Sequence, residues 1–408
     1  MNVSEHQSRA PSERGIRSFS FARLISPITV SSFLTQYYGQ QELIINREEP
    51  AFYSQILSPD ILDTLLLSSV PTRKQVLVVN AANDISDEQY SYADGAVDSA
   101  ALHKLFQEGA TISYRNMENC FEPVFAICRS VEQVLSCPIQ ANFYFTPATA
   151  QGLHTHHDTH DVFVLQVSGS KEWRTYDPRI RTPLRGQSFY WEVNELPGTP
   201  VHSFLLRAGD LFYCPRGVPH NAVATDEPSL HITLGVLART WTDVMIEALA
   251  ELALRDPEFR QALPAGYATT QDLNLEAITT KFRMLANKFV TDGNPLTVLS
   301  RFADEFVGTR RQYLPDQACY VKLSEQLTAD SLVGSRPGLL YRITPRSDDV
   351  LVVSPRREMK FPLSVLPALR FAVHNSHFKI TDLPGELHEH EKIILVKRLI
   401  LEGLLVVL

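Results

Sequence analysis

Cysteine is scarce in this 408-residue chain, with five residues that form no C-x-x-C pair. A small, odd and scattered set argues against a disulfide framework and against a zinc–thiolate site, and it is typical of a reducing compartment. We therefore expect a cytoplasmic protein. The five residues are Cys120, Cys128, Cys137, Cys214 and Cys319.

A basic excess and a long apolar run are also missing. The net charge is -8, from 38 Lys and Arg against 46 Asp and Glu, whereas nucleic-acid binders usually carry a positive balance. Direct nucleic-acid binding is therefore not expected. The most apolar stretch, residues 393–408, is interrupted by Lys397, Arg398 and Glu402, so no membrane span is predicted. The N-terminal residues lack the apolar core of a signal peptide, and they predict a flexible tail.

The middle of the chain has the pattern of an antiparallel β protein. Asp161–Ser168 is a near-continuous β-branched run that Gly169 closes, and Leu211–Cys214 follows a turn at Gly209. Several such short runs, separated by glycine, proline and aspartate turns, predict a barrel or a sandwich. Helices are predicted before this block at residues 29–38 and 58–67. Three amphipathic helices are predicted after the block, at residues 242–254, 273–290 and 295–307. The last segment is predicted to hold a short strand at 338–343 and a final helix near 390–402.

Histidine is unusually clustered in this chain, because four of the thirteen histidines lie between His154 and His160. His156 and Asp158 form an H-x-D pair. In an extended strand, residues two apart point to the same side, so this imidazole and this carboxylate can meet one metal ion. The pair is a weak signal alone, since short motifs recur by chance. His154 with His156 is the competing assignment, and the remaining cluster histidines are expected to line the cavity mouth or to form hydrogen bonds.

A second motif supplies the third ligand. Gly209, Pro215, Gly217 and His220 have the spacing G-x5-P-x-G-x2-H. This pattern resembles a conserved motif of the cupin superfamily, in which the glycines make turns and the proline directs the histidine inward. Two histidines and one carboxylate form the facial triad of non-haem Fe(II) oxygenases, which leaves positions open for cosubstrate and oxygen. The two motifs together predict a metal site of His156, Asp158 and His220.

Longer stretches extend this similarity. NFYFTPATAQG at residues 142–152, then HHD, DVFVLQVSGSKEWR, PRGVPH and SLHIT resemble the JmjC-type ribosomal oxygenases, which are Fe(II)- and 2-oxoglutarate-dependent protein hydroxylases. The resemblance implies an α+β fold, with a double-stranded β-helix (cupin/JmjC) barrel preceded by helical elements. It divides the chain into a flexible tail at 1–20, the barrel with its lead-in at 21–238, a helical dimerisation region at 239–320 and a winged-helix-like domain at 321–408.

The resemblance also implies roles for particular residues. His156, Asp158 and His220 correspond to the iron ligands, and O2 is the second cosubstrate. Lys171 corresponds to the basic residue that pairs with the distal carboxylate of 2-oxoglutarate, in line with the rule that a buried lysine is almost always paired. The other residues that it places at the cosubstrate are Asn142, Tyr144 and His231.

The function implied is hydroxylation of an arginine or histidine of a ribosomal protein by a homodimer. Three departures concern the target residue. His157 stands where the family commonly has tyrosine, and Gly235 stands where a serine is often found. Lys171 is similar to the eukaryotic histidine hydroxylases, whereas the bacterial arginine hydroxylases have arginine there.

Other functions stay open at this point. The same iron site is compatible with a tailoring hydroxylase of a biosynthetic peptide or small molecule, and with demethylation of methyl-lysine. A metal-binding cupin that only docks partners is the non-enzymatic alternative. The segment 177–201, which holds Arg179, Arg181, Tyr190 and Trp191, is either part of the substrate rim or a solvated insertion.

Overall fold

The computed structural model describes residues 19–61, 71–187, 189–190, 198–269 and 273–408. Contacts divide the chain into two compact units. The first unit runs to Ala238 and includes 313–339 and 371–408, and the second holds 239–312 and 340–370. The predicted tail lies outside the described residues up to residue 18. The predicted boundaries at 239 and 321 stay predictions, and the contacts add that the segment 340–370 packs with the helices that precede it.

Two antiparallel sheets form the centre of the first unit. A seven-stranded sheet and a five-stranded sheet pack face to face through an apolar layer that contains Val162, Trp173 and Phe212. The predicted antiparallel barrel is thus confirmed. The strands are β1 Leu43–Ile45, β2 Val76–Val79, β3 Thr111–Tyr114, β4 Ile139–Thr146, β5 His156–His157, β6 Asp161–Ser168, β7 Ser170–Thr175, β8 Phe189–Tyr190, β9 His202–Arg207, β10 Leu211–Cys214, β11 His220–Ala224 and β12 Ser229–Val236.

Sheet order explains why β6 is apolar along most of its length. The seven-stranded sheet has the order β1-β10-β6-β12-β4-β3-β2, and the five-stranded sheet has the order β8-β5-β11-β7-β9. β6 therefore has a neighbouring strand on each side. Phe163 and Leu165 face the core beneath the N-terminal helices, whereas Val162 and Val164 face the other sheet. Both faces are covered, so a continuous apolar run is stabilised by burial on either side.

The lead-in helices cover the outer face of the seven-stranded sheet. The predicted helix at 29–38 is confirmed, and its second half, Phe33–Tyr37, is π-helical. The Thr29 hydroxyl caps the helix by accepting a 3.1 Å hydrogen bond from the amide of Ser32. The predicted helix at 58–67 falls mostly outside the described residues. The remaining lead-in helices are Phe21–Leu24, Ser99–Gln107 and Glu122–Leu135.

Two glycine turns fix the hairpins of the barrel. Gly169 joins β6 to β7 with φ of 65°, and a Cβ atom there would lie 2.1 Å from the carbonyl oxygen of Pro228. Gly209 precedes β10 with φ of 92°, and a Cβ atom there would lie 2.2 Å from the carbonyl oxygen of Glu49. Neither position has room for a side chain, so both turns require glycine.

The C-terminal part of the first unit adds a small sheet of β13 Leu332–Ser335, β17 Phe378–Lys379 and β18 Leu405–Val407. The predicted final helix is confirmed as Glu389–Leu401, and β18 follows it after Gly403. The guanidinium of Arg336 is buried here, where it donates to the carbonyl oxygen of Gly403 at 2.8 Å.

The second unit contains the three helices that the sequence predicts, as Trp241–Arg255, Leu275–Asp292 and Pro295–Thr309. Its sheet has the order β14-β15-β16, from Arg342–Pro345, Asp349–Ser354 and Arg357–Pro362. Val307, Leu351 and Val353 pack together between the third helix and the sheet. In the described part of the chain, none of the helices combines the length and apolar character needed to cross a membrane.

Candidate metal centre and its cavity

Two neighbouring strands of the five-stranded sheet bring the predicted ligands together. His220 on β11 is the register partner of His156 on β5, and their ring centroids lie 4.6 Å apart. Asp158 follows β5 directly, and its Oδ2 lies 3.7 Å from Nε2 of His220. One donor atom from each of the three residues lies within 4.8 Å of the others. The geometry suits three ligands of one metal ion.

Backbone hydrogen bonds hold each of these side chains in place. Nδ1 of His156 donates to the carbonyl oxygen of His154 at 2.8 Å, and Nδ1 of His220 donates to that of Val218 at 3.0 Å. Because a carbonyl oxygen only accepts, both imidazoles carry their proton on Nδ1, which makes Nε2 the nitrogen that can bind a metal. The amide of Gly217 donates to the carbonyl oxygen of Asp158 at 2.9 Å, so the proline–glycine turn also positions the carboxylate.

Electrostatics keeps these groups in the protonation states that a metal requires. Burial, together with the neighbouring His156, lowers the pKa of His220, which favours the neutral imidazole. Burial raises the pKa of Asp158. The surrounding histidines, chiefly His156 and His220, lower it by more, so the pKa of this carboxyl lies below its ordinary value. A neutral imidazole beside an ionised carboxylate can accept a divalent cation.

A cavity between the sheets opens at this cluster and contains every predicted cosubstrate residue. Lys171 is 4% exposed, and its Nζ donates to the hydroxyl of Thr146 at 2.8 Å. Burial lowers the pKa of Lys171 to about 7. Tyr144 and His231 are paired across β4 and β12, and their rings stack at 5.0 Å.

His231 is held as a neutral group. Burial, and then the charge of Lys171, lower the pKa of His231 well below its ordinary value. Its Nδ1 is buried without a hydrogen-bond partner in the described part of the chain. Asn142 also lines the cavity, where its Oδ1 accepts a 3.2 Å hydrogen bond from the amide of Asn116.

The other three histidines of the cluster are not part of the candidate metal group. His154 is absent from the group of three among the described residues, so the group favours the H-x-D assignment over the competing H-x-H one. Nε2 of His157 is 2.8 Å from the carbonyl oxygen of Gln187, and His160 lines the cavity. Of the predicted rim, Trp191 lies outside the described residues. Arg179 and Arg181 are not among the cavity-lining residues that the structure describes.

Several cavity residues were not predicted from the sequence, among them Trp173, Asn221 and Arg115. Trp173 lies two positions after Lys171 on β7, so the two-residue period of a strand would have placed both on one face. Asn221 donates to Thr155 Oγ1 at 2.7 Å, next to His220. Arg115 follows β3, which the sequence pattern did not reveal because the strand has only four residues.

Comparison with known proteins identifies this arrangement. A model of the JmjC domain matches residues 117–244. The bifunctional lysine-specific demethylase and histidyl-hydroxylase NO66 of Dictyostelium discoideum is 35% identical over 254 residues, which are 60% of this chain and 49% of that protein. Ribosomal oxygenase 2 of Rattus norvegicus is 31% identical over 63% of this chain and 56% of its own length. The chain thus spans about half the length of these two relatives.

Other relatives match nearly the whole chain. Ribosomal oxygenase 2 of Bos taurus is 27% identical over 405 residues, which cover 89% of this chain and 86% of that protein. The X-ray structure of Escherichia coli ycfD covers 93% of this chain and 98% of its own, with a TM-score of 0.55 at 17% identity. At that identity the match establishes the fold, an α+β JmjC/cupin architecture over most of the chain. Residues 117–244 thus match a JmjC domain, and the chain is similar to ribosomal oxygenases over most of its length.

Proposed function

We propose that this protein is an Fe(II)- and 2-oxoglutarate-dependent oxygenase that hydroxylates an arginine or histidine side chain of a ribosomal protein. One observation carries the proposal: the grouped side chains of His156, Asp158 and His220 share a cavity with the buried ammonium of Lys171. Relatives support it, because their names describe a histidyl-hydroxylase and ribosomal oxygenases, and one ycfD structure is a complex with cobalt and 2-oxoglutarate.

The donor set fits the metal. Two imidazoles that present Nε2 and one carboxylate match the 2-His-1-carboxylate set that non-haem iron favours. Carbonyl oxygens of His154 and Val218 fix the imidazole orientation, as backbone partners commonly do for metal ligands. When bound, iron would supply the redox chemistry of oxygen activation, which no protein side chain provides.

Lys171 would bind the cosubstrate. 2-Oxoglutarate is a dicarboxylate, and the carboxylate remote from the keto acid needs a cation inside the barrel. Nζ of Lys171 has the Thr146 hydroxyl as its neutral partner at 2.8 Å, and a buried ammonium without a counter-ion is unfavourable. A bound carboxylate would supply that charge and form a short, charge-assisted hydrogen bond.

The aromatic residues would shape the cosubstrate chamber. Trp173 lies 5.8 Å from the His220 ring and 6.0 Å from the His231 ring, measured between centroids. Tyr144 stacks on His231 and would hold this imidazole in one orientation. These groups would exclude bulk water, which strengthens every charge interaction within the site.

Anaerobic titration with Fe(II) and 2-oxoglutarate tests the site. We expect a charge-transfer absorption band in the wild type and its loss in Asp158→Ala. The matched control is Asp177→Ala, since Asp177 is an exposed carboxylate on the chain that follows β7. A wild type without a band, or Asp158→Ala with an undiminished band, would contradict the assignment.

The substrate is tested separately by mass spectrometry of ribosomal proteins. Ribosomes from a deletion strain should lack a +16 Da modification that ribosomes from the parent strain carry, because hydroxylation adds one oxygen atom. Complementation with the wild type should restore the modification, and complementation with His220→Ala should not. Unchanged ribosomal proteins, together with an intact charge-transfer band, would instead favour a tailoring hydroxylase.

The assembly is also proposed here. We infer that the helices Trp241–Arg255, Leu275–Asp292 and Pro295–Thr309 form a homodimer interface, and that the C-terminal segment is a winged-helix-like domain of a cytoplasmic protein. The support is a set of large apolar side chains that the second unit leaves exposed, between 62% and 81%, at Trp241, Ile246, Leu254, Leu263, Leu275, Phe282, Val290 and Leu296. The helix–Gly403–β18 ending supports the winged-helix assignment.

A further inference from the structure

Gly235 and His160 occupy one contiguous space in the cavity wall. A Cβ atom built on Gly235 would lie 2.7 Å from both Cδ2 and Nε2 of the His160 ring. That separation is shorter than any ordinary carbon contact, so a side chain at 235 would displace the imidazole. The backbone at Gly235 is regular β12 strand, where it pairs with Gln140 and Val162. The steric constraint at position 235 therefore comes from the neighbouring ring rather than from the backbone conformation.

The imidazole of His160 is available for hydrogen bonds with a ligand. Both His160 and Gly235 line the cavity, together with Gln140 and Arg115. His160 is half-buried, and its ring nitrogens have no hydrogen-bond partner among the described residues. An imidazole offers one donor and one acceptor in its neutral form. His160 lines the same cavity as the candidate metal ligands His156, Asp158 and His220.

The charges of the cavity wall restrict what can enter. Among the described lining residues, Asp158 is the sole carboxylate, and it belongs to the metal site. The lining cations are Arg115 and Lys171. A guanidinium or ammonium group brought into this wall would have no counter-ion of its own, and burying an unpaired charge is strongly unfavourable.

We propose that His160, in the space that Gly235 leaves open, is a substrate-contacting residue that selects a neutral, hydrogen-bonding target side chain. An imidazole or a primary amide has the donor and acceptor that would complement the His160 ring, whereas a guanidinium has donors alone. The inference rests on the proposed hydroxylase function, and it names the class of target side chain for that same cavity.

Paired peptides test the selection. Fifteen-residue peptides that tile the ribosomal proteins around each histidine are compared with the same peptides carrying arginine or glutamine at the central position. Steady-state kinetics and product mass are measured for the wild type, His160→Ala, His160→Gln, Gly235→Ala and the double variant His160→Ala/Gly235→Ala. The charge-transfer band checks that each variant still binds metal and 2-oxoglutarate.

We expect the wild type to hydroxylate histidine- or glutamine-centred peptides and to discriminate against arginine. His160→Ala should raise KM about fivefold to tenfold, the effect of one lost hydrogen bond, with a smaller change in kcat. His160→Gln should recover part of that loss. Gly235→Ala should raise KM when His160 is present. It should not raise KM further in the His160→Ala background, because the clash requires the imidazole ring.

Three outcomes would overturn the inference alone: preference of the wild type for arginine, an unchanged KM in His160→Ala, or additive effects of the two substitutions. A purely structural role for His160 predicts instead a weakened charge-transfer band in His160→Ala, with the same loss of activity toward histidine-, glutamine- and arginine-centred peptides. A wild type that binds both ligands but hydroxylates no peptide would overturn the protein-hydroxylase function, and the inference with it.

Discussion

The ammonium group of Lys171 donates a 2.8 Å hydrogen bond to the hydroxyl of Thr146 inside the barrel, and Thr111 donates in turn to the same hydroxyl at 3.0 Å. The lysine is therefore held in one orientation by neutral groups. A buried cation with neutral partners favours losing its proton, which is why burial lowers the pKa of Lys171 to about 7. Two predictions follow from this relationship.

The first concerns stability. The pKa of Lys171 rises from about 7 in the folded protein to its ordinary 10.5 on unfolding, so between these values the unfolded chain binds more protons. The free energy of unfolding of the ligand-free wild type should therefore increase as pH rises from about 7 to about 10. Lys171→Met should be more stable than the wild type by roughly 2 kcal/mol at pH 7, with the pH slope reduced. Urea unfolding at pH 7 and pH 9 measures both, and a less stable Lys171→Met would contradict the prediction.

The second concerns cosubstrate affinity. A carboxylate binds the protonated lysine, and the protonated fraction of the ligand-free protein falls above pH 7. The Kd for 2-oxoglutarate should therefore rise toward tenfold per pH unit above neutrality. Lys171→Arg keeps its charge and should bind without this dependence. Pyruvate, which lacks the second carboxylate, serves as the ligand control in anaerobic titrations from pH 6 to pH 9, and a flat wild-type profile for 2-oxoglutarate would reject the role of Lys171.

The third prediction separates adjacent histidines. His156→Ala should weaken Co(II) or Fe(II) binding by more than about a hundredfold, since loss of a direct ligand exceeds the effect of losing an outer partner. His154→Ala should leave affinity nearly unchanged, because the substitution keeps the backbone carbonyl oxygen that accepts the hydrogen bond from His156. Competition with a chelator measures both. Equal losses in the two variants would support the H-x-H assignment instead.

The fourth prediction concerns the buried carboxylate that supports the proline–glycine turn. Oδ2 of Asp161 accepts from the Tyr213 hydroxyl at 2.6 Å, and Oδ1 accepts from the Arg216 amide at 3.0 Å. Asp161→Ala should destabilise the protein by about 2–3 kcal/mol, because both donors become unsatisfied. Asp177→Ala, at an exposed carboxylate, should change stability by less than about 0.5 kcal/mol. Similar denaturation midpoints for the two variants would contradict this account.

The fifth prediction tests the proposed dimer. Phe282 is 71% exposed on the helix Leu275–Asp292, which leaves a large apolar ring in solvent. Phe282→Glu should convert the protein to a monomer in light scattering, because burial of an unpaired carboxylate opposes association. Asn287→Glu, at an exposed polar position of the same helix, is the control. A wild-type protein that is monomeric in light scattering would contradict the proposed dimer.

Pattern alone located most of the elements, and its errors have physical causes. Asp161–Ser168 was predictable in full because both of its faces are buried, which leaves an unbroken apolar signal. Strand β11, His220–Ala224, was not predicted, since its partly exposed residues are small and carry little periodicity. The predicted strand at 338–343 is observed at Arg342–Pro345, after Gly338 adopts a φ of 70° in a turn.

The candidate site was also predictable only in part. The sequence by itself determined which residues are candidate metal ligands, because H-x-D spacing and the glycine–proline–histidine motif are local properties of the chain. Tertiary structure decided what those residues meet. Only the pairing of β5 with β11 brings His156 to His220, and only the packing of β12 reveals that Gly235 accommodates the ring of His160. Such contacts join residues far apart in sequence, where no local spacing rule operates, so three-dimensional packing alone defines the shape and charge of the cavity.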